Sequence, residues 1–432
     1  MDKKNLVSYA KNIGAYFSAS LIPMALNLVA NPFIALNMSP KDFAITGYFT
    51  SFSTLLTPII NFYFLHYYSK RFYECNDVER LKLKAAVFKM LVVYSFIASF
   101  FCLIGVLGYI KVFNTELQFD IFPYLPLAIL AIPLSGIYNL ELTDYKMEKK
   151  SKNYFNLSVT TGVLNTVSVV IMVVVLKMAA FGKLFAPFLI NFSIFIYLLA
   201  KHRNLWKIEI EKSYIKKMFV FCWPLATAAM LGYFTNGFDK TYLESVGDVT
   251  EYGYYCVASS MAAYLHVFST AIFNTFTPDV YEAIAKHNNR KLIRTFGIQQ
   301  GMIGVVVVLF VIFCPIIIYL LTAGRYMEST TYTRIMAVAT LTQTFYFNIN
   351  CFTIAKGYPK LSMWTSIIGS GLIIVSMSFV VKQWTYIGGA WMVSVSYLLL
   401  VLVNIILLYS VSGKEKSVRF IKGIINYRSK EN

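Results

Sequence analysis

Apolar residues run in long unbroken stretches along this chain, and the segments between them are short, polar and mostly basic. A bilayer core about 30 Å thick takes about 20 apolar residues per helical crossing. Twelve stretches meet that length, here numbered spans 1 to 12. The first six are Ile13–Leu36, Phe43–Leu65, Ala85–Ile110, Ile121–Leu140, Tyr154–Leu176 and Leu184–Ala200. The second six are Met218–Phe238, Tyr252–Phe276, Phe296–Leu321, Ile335–Ala355, Ser362–Val381 and Ala390–Val411. No loop between them exceeds 19 residues, which leaves no room for a soluble domain there. Runs such as Val305–Ile312 and Val169–Leu176 are apolar without alternation, whereas a membrane β-barrel strand alternates with period two over about 10 residues. The pattern predicts an all-α polytopic membrane protein with twelve transmembrane helices.

Basic residues set its orientation. Of 39 Lys and Arg, 30 lie in the two tails and the even-numbered loops, 8 in the odd-numbered loops, and Lys89 lies within span 3. Short cytoplasmic loops carry such an excess, so both termini are expected inside. The net charge of +18 thereby reports topology and attraction to anionic membrane lipids, not a nucleic-acid partner. Composition points the same way. The chain is 57% hydrophobic and 14% charged, against about 45–50% and about 25% in a soluble domain. Soluble enzymes and disordered scaffolds are excluded. The six cysteines form no C-x-x-C pair, so neither a disulfide framework nor a zinc site is expected. Metal-ligand spacings, nucleophile constellations and phosphate-cradling glycine motifs are missing from the sequence, and the reading is a non-enzyme without a cofactor. The first apolar run is too long for a signal-peptide core and is read as a retained span.

An internal repeat divides the chain. Pro224 in span 7 falls where Pro23 falls in span 1. Asp42-Phe43-Ala44-Ile45-Thr46, opening span 2, resembles Glu251-Tyr252-Gly253-Tyr254-Tyr255, opening span 8. Phe181-Gly182-Lys183-Leu184 before span 6 resembles Ile387-Gly388-Gly389-Ala390 before span 12. Six spans per half make the repeat parallel. The expected domains are a first lobe at 1–200, a cytoplasmic linker at 201–217, a second lobe at 218–411 and a basic cytoplasmic tail at 412–432.

The stretch Phe221-Cys222-Trp223-Pro224, then Asn236-Gly237-Phe238-Asp239-Lys240 and Glu251 to Tyr255, resembles the opening of the second half of bacterial polysaccharide flippases. That family usually has Arg where this chain has Lys240. Met38-Ser39-Pro40-Lys41-Asp42-Phe43, Tyr68-Ser69-Lys70-Arg71, Phe276-Thr277-Pro278 and Gly388-Gly389-Ala390-Trp391 extend the resemblance over nearly the whole chain. It implies the fold of the multidrug/oligosaccharidyl-lipid/polysaccharide exporter superfamily, with two six-helix lobes around a central cavity that opens alternately to either side. It also implies a function: flipping undecaprenyl-diphosphate-linked oligosaccharide to the outer leaflet of the bacterial cytoplasmic membrane, for O-antigen, capsule or another surface polysaccharide. A multidrug exporter of the same superfamily is the alternative. A membrane polymerase or glycosyltransferase is a more remote one, since odd-numbered loops of at most 13 residues leave little for glycan chemistry. Members that flip the peptidoglycan precursor carry Arg in spans 1, 2 and 8, and here those spans hold neither Arg nor Lys. That argues against lipid II.

A charge at a helix centre costs about 2.5–3.5 kcal/mol, so polar groups inside spans are where function is expected. Asn27 and Asn31 share a face of span 1 between Pro23 and Pro32, and Gln343 and Asn350 share one of span 10. Lys89 near the inner end of span 3, with Lys240 and Arg334 at the outer ends of spans 7 and 10, are the candidate cations for a diphosphate. These seven form the expected substrate-binding set. Interhelical hydrogen bonding and snorkelling are the competing readings. Asn236 and Asp239 are the expected ion-coupling pair. His266 in span 8 is read as a satisfied core histidine, and Gly297, Gly301 and Gly304 as packing positions in span 9. Expected partners are the lipid-linked oligosaccharide, membrane lipids, a monovalent cation or proton, and polysaccharide-assembly proteins.

Overall fold

A computed structural model describes residues 3–113, 117–286, 288–356 and 358–412; the expected basic tail lies, after its first residue, outside the described residues. Every predicted span lies mostly on helix, the exceptions including residues 61–63 in span 2 and 121–123 in span 4. Spans 1 to 3 occupy α1 (Lys3–Leu36), α2 (Pro40–Ile60) with the short α3 (Phe64–Arg71), and α4 (Asp77–Phe113). Spans 4 to 6 occupy α5 (Tyr124–Met147), α6 (Ser151–Val170) with a π-helical turn at Ile171–Val175, and α7 (Ala179–Lys201). A 3-10 turn at Arg203–Lys207 leads on. Span 7 is broken into α8 (Lys212–Leu231), α9 (Tyr233–Asn236) and α10 (Phe238–Glu244). Then come α11 (Val249–Ala285), α12 (Asn289–Thr322), α13 (Ser329–Ala355) and α14 (Pro359–Ser412). No strand occurs among the described residues.

Eight of these helices are long and apolar enough to cross a membrane, and the protein is a multi-pass membrane protein. The longest, α14, carries spans 11 and 12 as two arms. A loop was expected at 382–389; the chain instead turns at Thr385, whose backbone (φ 43, ψ −125) leaves the helical region for one residue. At the start of α2, Ser39 and Asp42 form a capping box: Ser39 Oγ accepts from the Asp42 N–H at 3.2 Å, and Asp42 Oδ2 accepts from the Ser39 N–H at 2.7 Å.

The described residues fall into two compact units. One runs to Met230 and includes Leu320–Arg325; the other comprises Leu231–Tyr319 and the chain from Tyr326. In the first, α1 packs along α6, and α5 against α4 and α7. Gly162 of α6 lets Pro23 of α1 approach, since a Cβ there would stand 2.5 Å from the proline ring. In the second, α13 packs against α11 and α14.

Breaks in these helices release carbonyls that hydrocarbon cannot solvate. Pro23 lacks the N–H that would bond Ala19 O, and Ser158 Oγ of α6 donates there instead at 3.0 Å, bridging 139 residues. In the second unit Thr235 N turns to Gly232 O, at 3.2 Å. Ser370 Oγ of α14 donates to the released Leu231 O at 3.3 Å, again across 139 residues. The same substitute donor thus sits at the same place in each half. Pro315 of α12 likewise releases Val311 O, which accepts from Arg334 Nε at 3.2 Å. One packing expectation is corrected: Cβ atoms built at Gly297 and Gly301 meet nothing within 4 Å, so these glycines are not close-approach positions.

Ser158→Ala and Ser370→Ala are each expected to lower stability by about 1–3 kcal/mol, the cost of orphaning a buried acceptor. Ser193→Ala should stay within about 0.5 kcal/mol, because its exposed hydroxyl only returns to Leu189 O one turn back. Unfolding of the purified protein in detergent measures all three, and a neutral Ser158→Ala would refute the substitute-donor account.

Candidate functional site

The helices α11 and α13 are not among the eight apolar ones, and both line a cavity within the second unit. Ser259, Ser260 and His266 come from α11, and Met336, Thr340 and Gln343 from α13. The broken span 7 supplies Thr235, Asn236, Asp239 and Lys240, and α14 supplies Val393 and Tyr397. They enclose about 300 Å³. Of the polar residues of α13, Thr340 and Gln343 face this cavity.

A row of hydrogen bonds crosses four helical segments on the cavity wall. Asn236 Nδ2 donates to Gly232 O at 3.1 Å, and Tyr397 Oη donates to Asn236 Oδ1 at 2.6 Å. Gln343 Nε2 donates to Tyr397 Oη at 2.5 Å, and Gln343 Oε1 lies 2.6 Å from His266 Nδ1. Beside the row, Asp239 Oδ2 accepts from Tyr255 Oη at 2.6 Å, while Asp239 Oδ1 is buried without a hydrogen-bond partner. Among the described residues no ion pair within 4.0 Å joins Asp239 to Lys240.

Four residues singled out from the sequence therefore meet here: Asn236, Asp239, Lys240 and Gln343. The others lie elsewhere. Asn27 Oδ1 accepts from Thr166 Oγ1 at 3.0 Å, and Asn31 Nδ2 donates to Leu321 O at 2.7 Å. Lys89 Nζ donates to Ile208 O at 2.7 Å, where the 3-10 turn ends. Arg334 holds Val311 O, and Asn350 does not line the cavity; its Oδ1 is buried without a partner. His266 was expected to be a satisfied core histidine; its Nδ1 is paired with Gln343, but its exposed side chain lines the cavity and is not core. Tyr397 was not singled out, because one tyrosine in an aromatic-rich apolar run carries no signal.

A second polar cluster, in the first unit, also escaped the sequence reading. Glu141 and Asp144 of α5 are buried, 2% and 6% exposed. Lys84 Nζ lies 2.5 Å from Asp144 Oδ2 and 3.8 Å from Glu141 Oε2. Lys201 Nζ and His202 Nε2 reach the two Glu141 oxygens at 2.6 and 2.7 Å. Tyr68 of α3 donates to Asp144. Burial, reinforced by that bond to a carboxylate, holds the Tyr68 phenol well above its ordinary range. The available signal was a pair of acids three apart, ending an apolar span on the side where bases dominate.

The described residues form an all-helical, multi-pass membrane fold with a polar cavity inside its second unit. A family profile described as polysaccharide biosynthesis protein matches residues 38–337, and the chain belongs to that family. No curated protein matches it. Among solved structures it is similar to the lipid II flippase MurJ in an inward closed conformation, at 14% identity over 94% of this chain and 90% of that one, with a TM-score of 0.68. It is similar to an inward-facing multidrug resistance MATE family transporter of the MOP superfamily, at 14% identity over 93% and 99%, TM-score 0.64. A MOP superfamily transporter from Pyrococcus furiosus gives 14% identity over 95% and 96%, TM-score 0.56. At such identities the likeness is one of fold.

Removing one member of a buried ion cluster leaves uncompensated charge, at about 3–5 kcal/mol. Lys84→Met is expected to destabilise by that order, whereas Lys150→Gln, at the more exposed pair with Glu148, should leave the melting temperature nearly unchanged, because solvent screens an exposed pair. Equal melting temperatures for the two variants would show that the cluster holds nothing together.

Proposed function

We propose that this chain is a flippase that moves undecaprenyl-diphosphate-linked oligosaccharide units from the inner to the outer leaflet of the bacterial cytoplasmic membrane by alternating access, for assembly of O-antigen, capsule or another surface polymer. The observation that carries the reading is the cavity in the second unit: a cation, Lys240, and hydrogen-bonding groups inside a helical bundle, in a chain of the polysaccharide biosynthesis family. A diphosphate-linked glycan needs such a surface, because unpaired charges and hydroxyls are costly to strip of water. The work is transport and not bond-making chemistry. The multidrug-exporter alternative has the shared fold in its favour, but the family match favours the polysaccharide reading.

Lys240 is the proposed headgroup contact, and Gln343, whose amide is engaged by Tyr397 and His266, is proposed to shape the same wall. Asn236 and Asp239 are the proposed coupling pair, because Asp239 keeps one carboxylate oxygen without a protein donor, to which Na⁺ or a proton can bind. Lys89 and Arg334 hold backbone carbonyls, so their neutralisation is expected to act on folding as well as on transport.

Depletion of the protein should cause lipid-linked oligosaccharide to build up on the inner leaflet; no build-up ends the flippase reading. Lys240→Gln should lower flipping about tenfold or more, the loss of one charge-assisted contact of about 1.5–3 kcal/mol, and Lys240→Arg should restore much of it. Asp239→Asn should abolish dependence on an ion gradient, and an unchanged dependence would remove the coupling role. With both termini inside, alkaline phosphatase fused after Asn432 should be inactive and fused after Gly247 active. The reverse pattern would invert the topology.

A further inference from the structure

The hydrogen-bond row on the cavity wall has a direction that its chemistry forces. A carbonyl only accepts, so Asn236 turns its amide nitrogen to Gly232 O and its oxygen to Tyr397. Tyr397 has one hydroxyl proton, and it goes to Asn236 Oδ1. Gln343 must then donate to Tyr397 through Nε2. That leaves Gln343 Oε1 facing His266 Nδ1, so Nδ1 carries the ring proton. In the neutral imidazole the other nitrogen is the acceptor. Among the described residues His266 Nε2 has no hydrogen-bond partner, and its exposed side chain lines the cavity.

A nitrogen with a lone pair takes a donor from its ligand. Ionised diphosphate oxygens have no proton to give; a sugar hydroxyl or an acetamido N–H does. We propose that His266 is a specificity-determining contact, accepting a hydroxyl or amide N–H of the glycan at Nε2. Gln343, Tyr397 and Asn236 are its positioning residues, which fix the tautomer from the Gly232 carbonyl outward. The proposal rests on the reading of this cavity as the headgroup site. A site built to pair with a donor rejects ligands that lack one more strongly than an apolar pocket does.

The tautomer is tested apart from transport. In ¹⁵N-histidine-labelled protein in detergent, above the pH at which the ring protonates, the signals lost in His266→Asn identify His266. Nδ1 should be of the protonated, pyrrole type and Nε2 of the pyridine type, and Tyr397→Phe should mix the two tautomers. A pyridine-type Nδ1 in the wild type overturns the proposal. Binding is then compared for undecaprenyl diphosphate with and without one N-acetylglucosamine. The contact predicts that His266→Asn, which keeps a donor toward Gln343 but loses the Nε2 acceptor, weakens the glycan-bearing probe about tenfold and leaves the bare diphosphate unchanged. His266→Gln, which restores an acceptor near Nε2, should recover most of the loss. Equal weakening of both probes, or equal behaviour of the Asn and Gln variants, overturns the assignment. Wild-type protein with no glycan-dependent affinity overturns the headgroup reading along with this one, whereas glycan-dependent affinity indifferent to His266→Asn overturns this one alone.

Discussion

A main-chain carbonyl released from its helix inside a bilayer has no water to turn to, and much of this protein's polar architecture follows from that constraint. Pro23, the break after Leu231 and Pro315 each release one carbonyl, and a side chain from another helix reaches each of them: Ser158, Ser370 and Arg334. Those donors occupy positions where a polar residue in an apolar run looks functional. Their first duty is to keep the helix breaks soluble in hydrocarbon. A polar residue within a span thus becomes evidence of a site only after the carbonyls around it have been accounted for.

The break in span 7 does more than release a carbonyl. The helix is interrupted at Gly232 and again at Gly237, and Asn236, Asp239 and Lys240 line the cavity. The Gly232 carbonyl becomes the terminal acceptor of the side-chain row that ends at His266. Span 1 uses the same kind of serine cap, yet Pro23 leaves α1 continuous from Lys3 to Leu36, and Asn27 Oδ1 accepts from Thr166 and does not line the cavity of the second unit. The two halves share a capping device and differ in what the released segment goes on to do.

The helical fold was legible because its signals are long and redundant: twelve apolar runs, short loops and a strong asymmetry of bases. The site was legible only in part. Asn236, Asp239 and Lys240 stood out as polar groups at the end of an apolar run. Gln343 and Asn350 were paired because seven residues return a helix to the same face, but they also advance it by about 10 Å, which carries Asn350 beyond the cavity lined by Gln343. Lys89 and Arg334 were correctly seen as costly bases within or beside spans, but their carbonyl partners lie on other segments, at Ile208 and Val311. Sequence spacing does not show such pairings. His266 was noticed but read as a core residue, and its place on the cavity wall beside Tyr397 became visible only when four segments were brought together.

The two units handle buried charge in opposite ways, and the contrast bears on which of them carries the site. In the first, Glu141 meets Lys201 and His202, and Asp144 meets Lys84 and Tyr68, so every carboxylate oxygen has a donor. Such a cluster is complete within the protein and gains nothing from a ligand. In the second, Asp239 is given one donor for two oxygens, and Lys240 lies on the same cavity without pairing with it. Leaving a buried acceptor unmatched costs about 1–3 kcal/mol, more when it is charged, and native structures hold few such groups. A fold able to satisfy two carboxylates completely in one unit has the means to satisfy a third. Of the three carboxylates, Asp239 alone keeps an oxygen without a protein donor, which is why the coupling role is proposed for it and not for Glu141 or Asp144.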